Sequence, residues 1–215
     1  MTAEYIVSLN WKKKMTLSEY ITAVKDVLVG LSAVSAAVFA YLGLTTWRKE
    51  LKGKAEYQLA KEVLKSVYKV REAFKHVRKF VIYRYEYPEE MLDYHGNLKM
   101  EHDYEGTAHV YEKRCEVMAE AFRELEEHHL EAQVEWGSEF QDVIEKLRSC
   151  KAEILIAIDQ MLERKKNPRE VEPTSAEERS VLSYRGVDDK HNKFTPQIDE
   201  AIIEFEKWLR PHIKR

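Results

Sequence analysis

Arg71 and His76 are the residues whose types and spacing best suit chemistry, and they lie in a basic stretch of the chain. A histidine titrates near neutral pH and can transfer protons, and an arginine can neutralise charge that develops on a phosphate. Loosely similar spacings recur at two other places, Arg123 to His128 and Arg185 to His191. A solvated or structural role for Arg71 and His76 is therefore the alternative interpretation.

Sequence motifs of the common enzyme classes do not occur. The chain has no phosphate-binding GxxxxGK[ST] or GxGxxG, no GxSxG, no HExxH and no CxxC. His102 and His109 lie seven positions apart, and His128 and His129 are adjacent, and neither arrangement has metal-ligand spacing. We expect no metal, no cofactor and no small-molecule substrate. The sequence leaves enzymatic activity open and favours its absence.

Composition predicts an all-α fold. The chain has only seven Gly and five Pro in 215 residues, and 34% of its residues are charged, whereas sheets need more turn residues. The length allows one soluble domain plus an anchor. Two cysteines, Cys115 and Cys150, each lie within a helical pattern, and no Asn-x-Ser/Thr sequon occurs. These features favour a reducing compartment.

A transmembrane helix is predicted at residues 27–47, where no charged residue occurs between Val27 and Trp47. At 1.5 Å per residue this stretch spans about the ~30 Å hydrocarbon core of a bilayer. A signal peptide is the rival interpretation, but the stretch is longer than a usual signal core and begins far from Met1. Basic residues are more numerous after the span than before it, which predicts a cytoplasmic C-terminal part. They are Arg48, Lys49, Lys52, Lys54, Lys61 and Lys65, against Lys12, Lys13, Lys14 and Lys25.

Small side chains occupy one side of this span when it is drawn as a helical wheel. They are Gly30, Ser32, Ala33, Ala36, Ala37, Ala40 and Gly43. Bulky residues such as Leu28, Leu31 and Phe39 occupy the other side, where Ser35 is an exception. Small faces let membrane helices approach closely, so we expect oligomerisation through this face, and a pore lined by it is a further possibility.

The remaining chain divides into a juxtamembrane segment, residues 1–26, and a cytoplasmic helical domain, residues 48–215. A capping box at Thr16 and Glu19 predicts one helix from Leu17 through the membrane to about Phe80. A heptad run from Tyr111 to Trp136 and a second helix from Ser138 to about Arg164 predict an antiparallel hairpin. A flexible linker over about 167–195, with a possible short helix at 176–183, precedes a final helix that begins at Thr195.

Charge changes sign along the cytoplasmic part. Residues 48 to 84 carry twelve Lys or Arg against four Glu, and residues 86 to 146 carry eighteen Asp or Glu against five Lys or Arg. We expect these stretches to pair, within or between subunits. The basic stretch is also a candidate for contact with anionic lipid or RNA.

Two resemblances follow from these patterns. The segment Arg71-Glu-Ala-Phe-Lys-His76 resembles the Arg-x4-to-6-His signature of HEPN ribonucleases, helical proteins in which an Arg and a His from paired subunits meet at an RNA backbone. Glu72 follows the arginine, where that family usually has a different polar residue. The span and the helix after it, residues 27–80, resemble small membrane accessory proteins of type VI-B CRISPR-Cas systems.

The second resemblance implies a homo-oligomeric pore in the bacterial inner membrane that depolarises it and enhances antiviral defence. It also implies a divergent HEPN-like domain that need not cut RNA, and RNA or a CRISPR effector as further partners. Our leading hypothesis is a self-assembling single-pass membrane effector. The alternatives are a membrane-tethered ribonuclease that uses Arg71 and His76, and a non-enzymatic membrane adaptor whose hairpin binds a partner helix.

Overall fold

The computed structural model of the chain describes residues 16–137, 141–167, 175–184 and 192–213. These residues form five α-helices and no β-strand, which confirms the all-α prediction. The helices are α1 (Leu17–Val77), α2 (Asp103–Trp136), α3 (Gln141–Lys166), α4 (Ala176–Leu182) and α5 (Phe194–Ile213). Three short 3-10 helices connect α1 to α2, namely Arg84–Glu86, Glu89–Met91 and Met100–His102. The chain forms two compact units that meet between Lys52 and Gly53.

The first unit contains the N-terminal part of α1, which begins at the predicted capping box. The Glu19 amide donates to the Thr16 hydroxyl at 3.4 Å, and the Glu19 carboxylate accepts from the Thr16 amide at 2.8 Å. Two free amides at the helix start are thus satisfied reciprocally. Residues 1–15, most of the predicted juxtamembrane segment, lie outside the described residues.

The second unit is a four-helix bundle made by the last turns of α1 with α2, α3 and α5. Phe74 of α1 contacts Phe122 of α2 edge to face, with ring centroids 5.6 Å apart. Lys69, one turn earlier on α1, pairs with Glu124 on α2 at 2.6 Å, so the two helices are antiparallel. This contact joins the basic and acidic stretches of the sequence, as predicted.

The predicted hairpin of α2 and α3 is confirmed by two ion pairs. Arg148 binds Glu126 at 3.3 Å, and Lys165 binds Asp103 at 2.7 Å. The later residue of α3 pairs with the earlier residue of α2, so the two helices are antiparallel. Helix α2 ends at the predicted Gly137, whose φ of 88° is unfavourable for other residues and whose amide donates to the Gln133 carbonyl. Phe140, which was expected on the α3 stripe, lies outside the described residues.

The core of the bundle follows the predicted stripes. Buried side chains come from every long helix and include Val63, Val67, Val70, Phe74, Met118, Phe122, Leu125, Ile144, Leu147, Ile154, Ile198, Ile202, Phe205 and Leu209. Burial on α1 begins only at Ala60, and the earlier members of its stripe, Leu51 and Ala55, are exposed. The apolar pattern of α1 is therefore longer than the surface that the bundle covers.

Two buried arginines hold helix ends in place. Arg114 of α2 donates to the carbonyls of Lys79 and Val81, just beyond the end of α1, at 2.8 and 2.9 Å. Arg78 donates to the carbonyls of Ser180, Val181 and Ser183, in and just after the last turn of α4. Carbonyls at the ends of helices and in the turns that follow lack partners within a helix. Arg114 satisfies two such carbonyls, and Arg78 satisfies three. Burial lowers the pKa of Arg78 to about 10, well above neutral pH, so it stays charged.

Helix α4 lies inside the stretch that was predicted as a flexible linker. Ser175 caps it, with its hydroxyl accepting from the Glu178 amide at 3.1 Å, and Arg164 of α3 pairs with Glu178. The predicted short helix is thus present, and α5 begins at Phe194, one residue before the expected start. Residues 168–174 and 185–191, which include Arg185 and His191, lie outside the described residues.

Candidate functional site

The longest uncovered apolar surface among the described residues lies on α1. Its most apolar 18-residue window has a mean hydropathy of 2.1, and none of that window is buried. By length and composition this helix can cross a membrane, and it is the only described helix that can. Every residue from Leu17 to Leu44 is exposed, so nothing in the described chain covers this surface.

The small-residue face lies on this uncovered surface. All seven of its members, from Gly30 to Gly43, are exposed. A methyl group added at Gly30 or Gly43 would meet no atom within 4 Å. The Ser32 hydroxyl donates to the Val29 carbonyl at 2.8 Å, and the Thr45 hydroxyl donates to the Leu42 carbonyl at 2.9 Å. These hydroxyls are therefore satisfied within the helix and do not need water.

Arg71 and His76 lie on different faces of α1, because five residues turn an α-helix by about 140° beyond one full turn. The Arg71 guanidinium lies 4.8 Å from the Tyr68 ring centre and bonds Glu72. Tyr68 in turn donates to Glu206 of α5 at 2.8 Å. His76 instead faces α2. One subunit thus does not bring the two residues together.

His76 lines a cleft of about 420 Å³ between the end of α1, the connecting segment and α2. Its polar and charged lining also includes Lys79, Glu86, His109, Lys113, Arg114 and Glu116, and Tyr85, Val110 and Val117 complete the wall. Pockets of this volume are large enough for small ligands. Both histidines are half-buried, Val110 is buried, and Lys79 and Lys113 are exposed.

The ion pair between Arg114 and Glu86 forms one wall of this cleft. The guanidinium, which is 1% exposed, contacts both carboxylate oxygens, at 2.7 and 2.9 Å. Burial raises the pKa of the Glu86 carboxyl, but hydrogen bonds from Arg114 and from the Tyr83 amide outweigh this effect and lower the pKa overall. The Glu86 carboxylate therefore stays ionised and fully engaged.

The electrostatic environment of His76 is positive. Burial lowers its pKa, and the charges of Lys79 and Arg114 lower it further, against the smaller opposite effect of Glu86. Lys113 pairs with Glu116 on its own helix at 2.9 Å. Among the described residues, no carboxylate pairs with Lys79. The cleft therefore offers more positive than negative charge to a ligand.

His109 and Lys113 were not predicted as site residues, although the sequence contained a signal for them. His76 and Lys79 are three positions apart on α1, and His109 and Lys113 are four apart on α2, so each pair shares a helix face. Only the antiparallel contact of the two helices brings these faces to one cleft. That contact depends on tertiary packing, which the spacing of either pair does not specify.

The sequence resemblances to HEPN ribonucleases and to type VI-B accessory proteins rest on residues 27–80. Beside these resemblances, the described residues form an all-α bundle with an uncovered apolar helix segment and a basic cleft at His76. Comparisons of the chain with protein-family models, with curated proteins and with solved structures gave no match.

Proposed function

We propose that this protein is a self-assembling, single-pass protein of a bacterial inner membrane and that its assembly forms a pore. Copies associate through the small face of α1, and the pore depolarises the membrane in support of CRISPR-linked antiviral defence. The observation that carries the proposal is the uncovered apolar segment of α1, with its small residues gathered on one side. The partners are further copies of the chain and the lipid bilayer.

The glycines of α1 support association. A glycine inside a helix costs about 1 kcal/mol relative to alanine. Within a chain such a cost is often offset by close packing of a neighbouring segment, but a Cβ at Gly30 or Gly43 would meet nothing within 4 Å. Close approach of a second α1 would use the missing side chains, because small residues let membrane helices pack backbone to backbone.

The exposed apolar side chains support a lipid environment. Leu28, Leu31 and Phe39 are exposed on the bulky side of the segment, where water would make such a surface an aggregation hazard. In hydrocarbon these side chains carry no such hazard, provided that polar groups are hydrogen-bonded internally. The helical backbone and the hydroxyls of Ser32 and Thr45 meet this condition. The basic residues that follow the segment favour the cytoplasm as the side of the bundle.

A pair of matched substitutions tests the assembly. Ala37→Leu and Ser35→Leu each add a leucine to the helix, and because two residues turn an α-helix by about 200°, the leucines lie on opposite sides. Ala37 lies on the small face, and Ser35 lies among the bulky residues. We expect the wild-type chain to form one discrete oligomer in mild detergent, measured by light scattering after size-exclusion chromatography. Ala37→Leu should dissociate it or reduce its size, and Ser35→Leu should leave it intact.

Ion flux tests the pore. Liposomes that contain either the wild-type protein or the Ser35→Leu variant should lose an imposed membrane potential faster than empty liposomes, and liposomes with Ala37→Leu should not. A wild-type monomer, or an equal effect of the two leucine variants on assembly, would overturn association through this face. A discrete oligomer without ion flux would support the proposed assembly but rule out the proposed pore.

A membrane-tethered HEPN-type ribonuclease is the second candidate, and the position of His76 in a basic cleft favours it. Since Arg71 faces away from this cleft, a second subunit would have to supply the arginine. This candidate requires Arg71→Ala and His76→Ala each to abolish cleavage of single-stranded RNA while the oligomer persists. RNA cleavage that survives both substitutions, or no cleavage by the wild type, would rule it out.

A further inference from the structure

We propose that the cleft between the end of α1 and α2 binds a small phosphorylated ligand the size of a mononucleotide. Its phosphate lies among Lys79, Lys113 and the two histidines, and its ring lies against Tyr85. The role is binding, for example of a regulatory ligand, and it requires no reaction of that ligand. This inference goes beyond pore formation and does not depend on it.

Charge in the cleft favours an anion. Lys79, Lys113 and Arg114 are the basic residues of the described lining that carry an ammonium or guanidinium group, and Glu86 and Glu116 are its only carboxylates. Arg114 holds both oxygens of Glu86, and Lys113 contacts both oxygens of Glu116. Lys79 has no carboxylate partner among the described residues, so its charge is available to a ligand. Lysine ammonium groups and histidine ring N–H groups are suitable donors to phosphate oxygens.

The aromatic residues at the rim favour a ligand that also carries a planar ring. Tyr85 is 80% exposed and lines the cleft. Its ring is stacked on that of Tyr83, with centroids 5.5 Å apart and planes inclined by 6°. This contact fixes the orientation of Tyr85, which leaves its other face open for stacking. Stacking of a base on an aromatic side chain contributes to affinity and accepts any base.

The surroundings of the cleft favour a small ligand over a nucleic acid strand. The volume of about 420 Å³ accommodates a single nucleotide. A shallow depression of the neighbouring surface is lined by Glu116, Glu120 and Glu124 and by one basic residue, Lys69, which pairs with Glu124. Consecutive phosphates of a strand that continued along α2 would therefore find no unpaired cation among the described residues that line this depression.

Calorimetric titration of the full-length protein in detergent micelles tests this inference. The probes are the four ribonucleoside 5′-monophosphates, inorganic phosphate, and uridine, which lacks a phosphate. We expect at least one monophosphate to bind, inorganic phosphate to bind more weakly and compete with it, and uridine not to bind. Lys79→Gln with Lys113→Gln should weaken monophosphate binding at least tenfold. Lys207→Gln, the same change on an exposed position of α5, should leave it unaltered.

A substitution at Tyr85 distinguishes the contribution of the ligand's ring from that of its phosphate. Tyr85→Ala should weaken monophosphate binding several-fold and leave inorganic phosphate binding unchanged, and circular dichroism should confirm that each variant is folded. Absence of binding by all four monophosphates, or equal binding by the lysine variant and the wild type, would overturn the inference. If a single-stranded RNA binds in a Lys79-dependent manner and the monophosphates do not displace it, the cleft is an RNA surface instead.

Discussion

The guanidinium of Arg114 has a fixed set of partners in the interior of the bundle. It bonds the Glu86 carboxylate and the carbonyls of Lys79 and Val81. An ion pair removed from water gains little overall, because desolvation offsets most of the attraction. Loss of Arg114 is costly, since the Glu86 carboxylate then keeps only the Tyr83 amide as a donor among the described residues and the carbonyls of Lys79 and Val81 lose theirs.

We therefore expect Arg114→Met to lower the free energy of unfolding by about 3–5 kcal/mol, the range for loss of one member of a buried pair. Arg123→Met is the matched control on the same helix. Arg123 is 66% exposed and pairs with Glu120 in water, where such pairs contribute little. Chemical denaturation followed by circular dichroism measures both variants, and an equal effect of the two would contradict the assigned role of Arg114.

His129 makes the stability of the bundle depend on pH. The side chain is 3% exposed in the core of α2, and burial, with a smaller effect of the Arg148 charge, lowers its pKa below the ordinary value of 6.5. The nearby carboxylates Glu126 and Glu145 oppose this shift incompletely. The histidine thus binds a proton more readily in the unfolded chain than in the folded one.

Because the unfolded state takes up more protons, stability should fall as the pH drops below about 6.5, and the loss should be complete below the folded pKa of His129. Above pH 7 the effect should be absent. Thermal unfolding between pH 7.5 and 5 measures the slope. His129→Gln should reduce this slope without abolishing it, because burial also lowers the pKa of His76. A slope unchanged in that variant would contradict the assigned role of His129.

At the scale of the element, the contact of Phe74 with Phe122 joins α1 to α2. Phe74 is fully buried, and truncation of such a ring costs about 3–5 kcal/mol through lost burial and the cavity left behind. We expect Phe74→Ala to destabilise the bundle by this amount. The control is Phe80→Ala, since that ring is mostly exposed, and it should change the unfolding free energy little. A similar loss in both variants would contradict the packing.

The helices were predictable from local signals to different extents. The capping box identified the start of α1, because the side chains of Thr16 and Glu19 bind free amides there. Gly137 identified the end of α2, because glycine readily adopts the positive φ found at that position. The end of α1 was placed at Phe80 and lies at Val77. Its apolar pattern continues past the end, but Arg114 binds the Lys79 and Val81 carbonyls and holds them outside the helix.

The candidate site was less predictable than the helices. The uncovered span could be identified from hydropathy alone, since it depends on consecutive residues. The cleft at His76 requires His109 and Lys113, which lie on another helix and reach it only through the antiparallel contact of α1 and α2. A single sequence carries the periodicity of each helix but not the register between two of them.

At the scale of the whole molecule, the proposed function places the bundle in the cytoplasm because basic residues follow the apolar segment of α1. Arg48, Lys49, Lys52 and Lys54 are all exposed or half-exposed on α1, and basic residues next to a span favour the cytoplasmic side. We expect a C-terminal fluorescent protein fusion to be bright and a C-terminal alkaline phosphatase fusion to be inactive. Substitution of these four residues by Gln should raise phosphatase activity, whereas four Gln substitutions at distant exposed lysines should not. An active phosphatase fused to the unaltered chain would show that the C-terminal part lies outside the cytoplasm.

The partners of Arg78 also have a consequence for the order in which the protein is made. The chain reaches Arg78 early, but the Val181 carbonyl and the Thr195 hydroxyl that bind it follow 103 and 117 residues later. During synthesis Arg78 therefore lacks these two partners until α4 and the start of α5 have been made, by which time the apolar segment of α1 has already left the ribosome. A nascent chain halted before α4 should therefore be sensitive to protease, and one halted after α5 should be resistant.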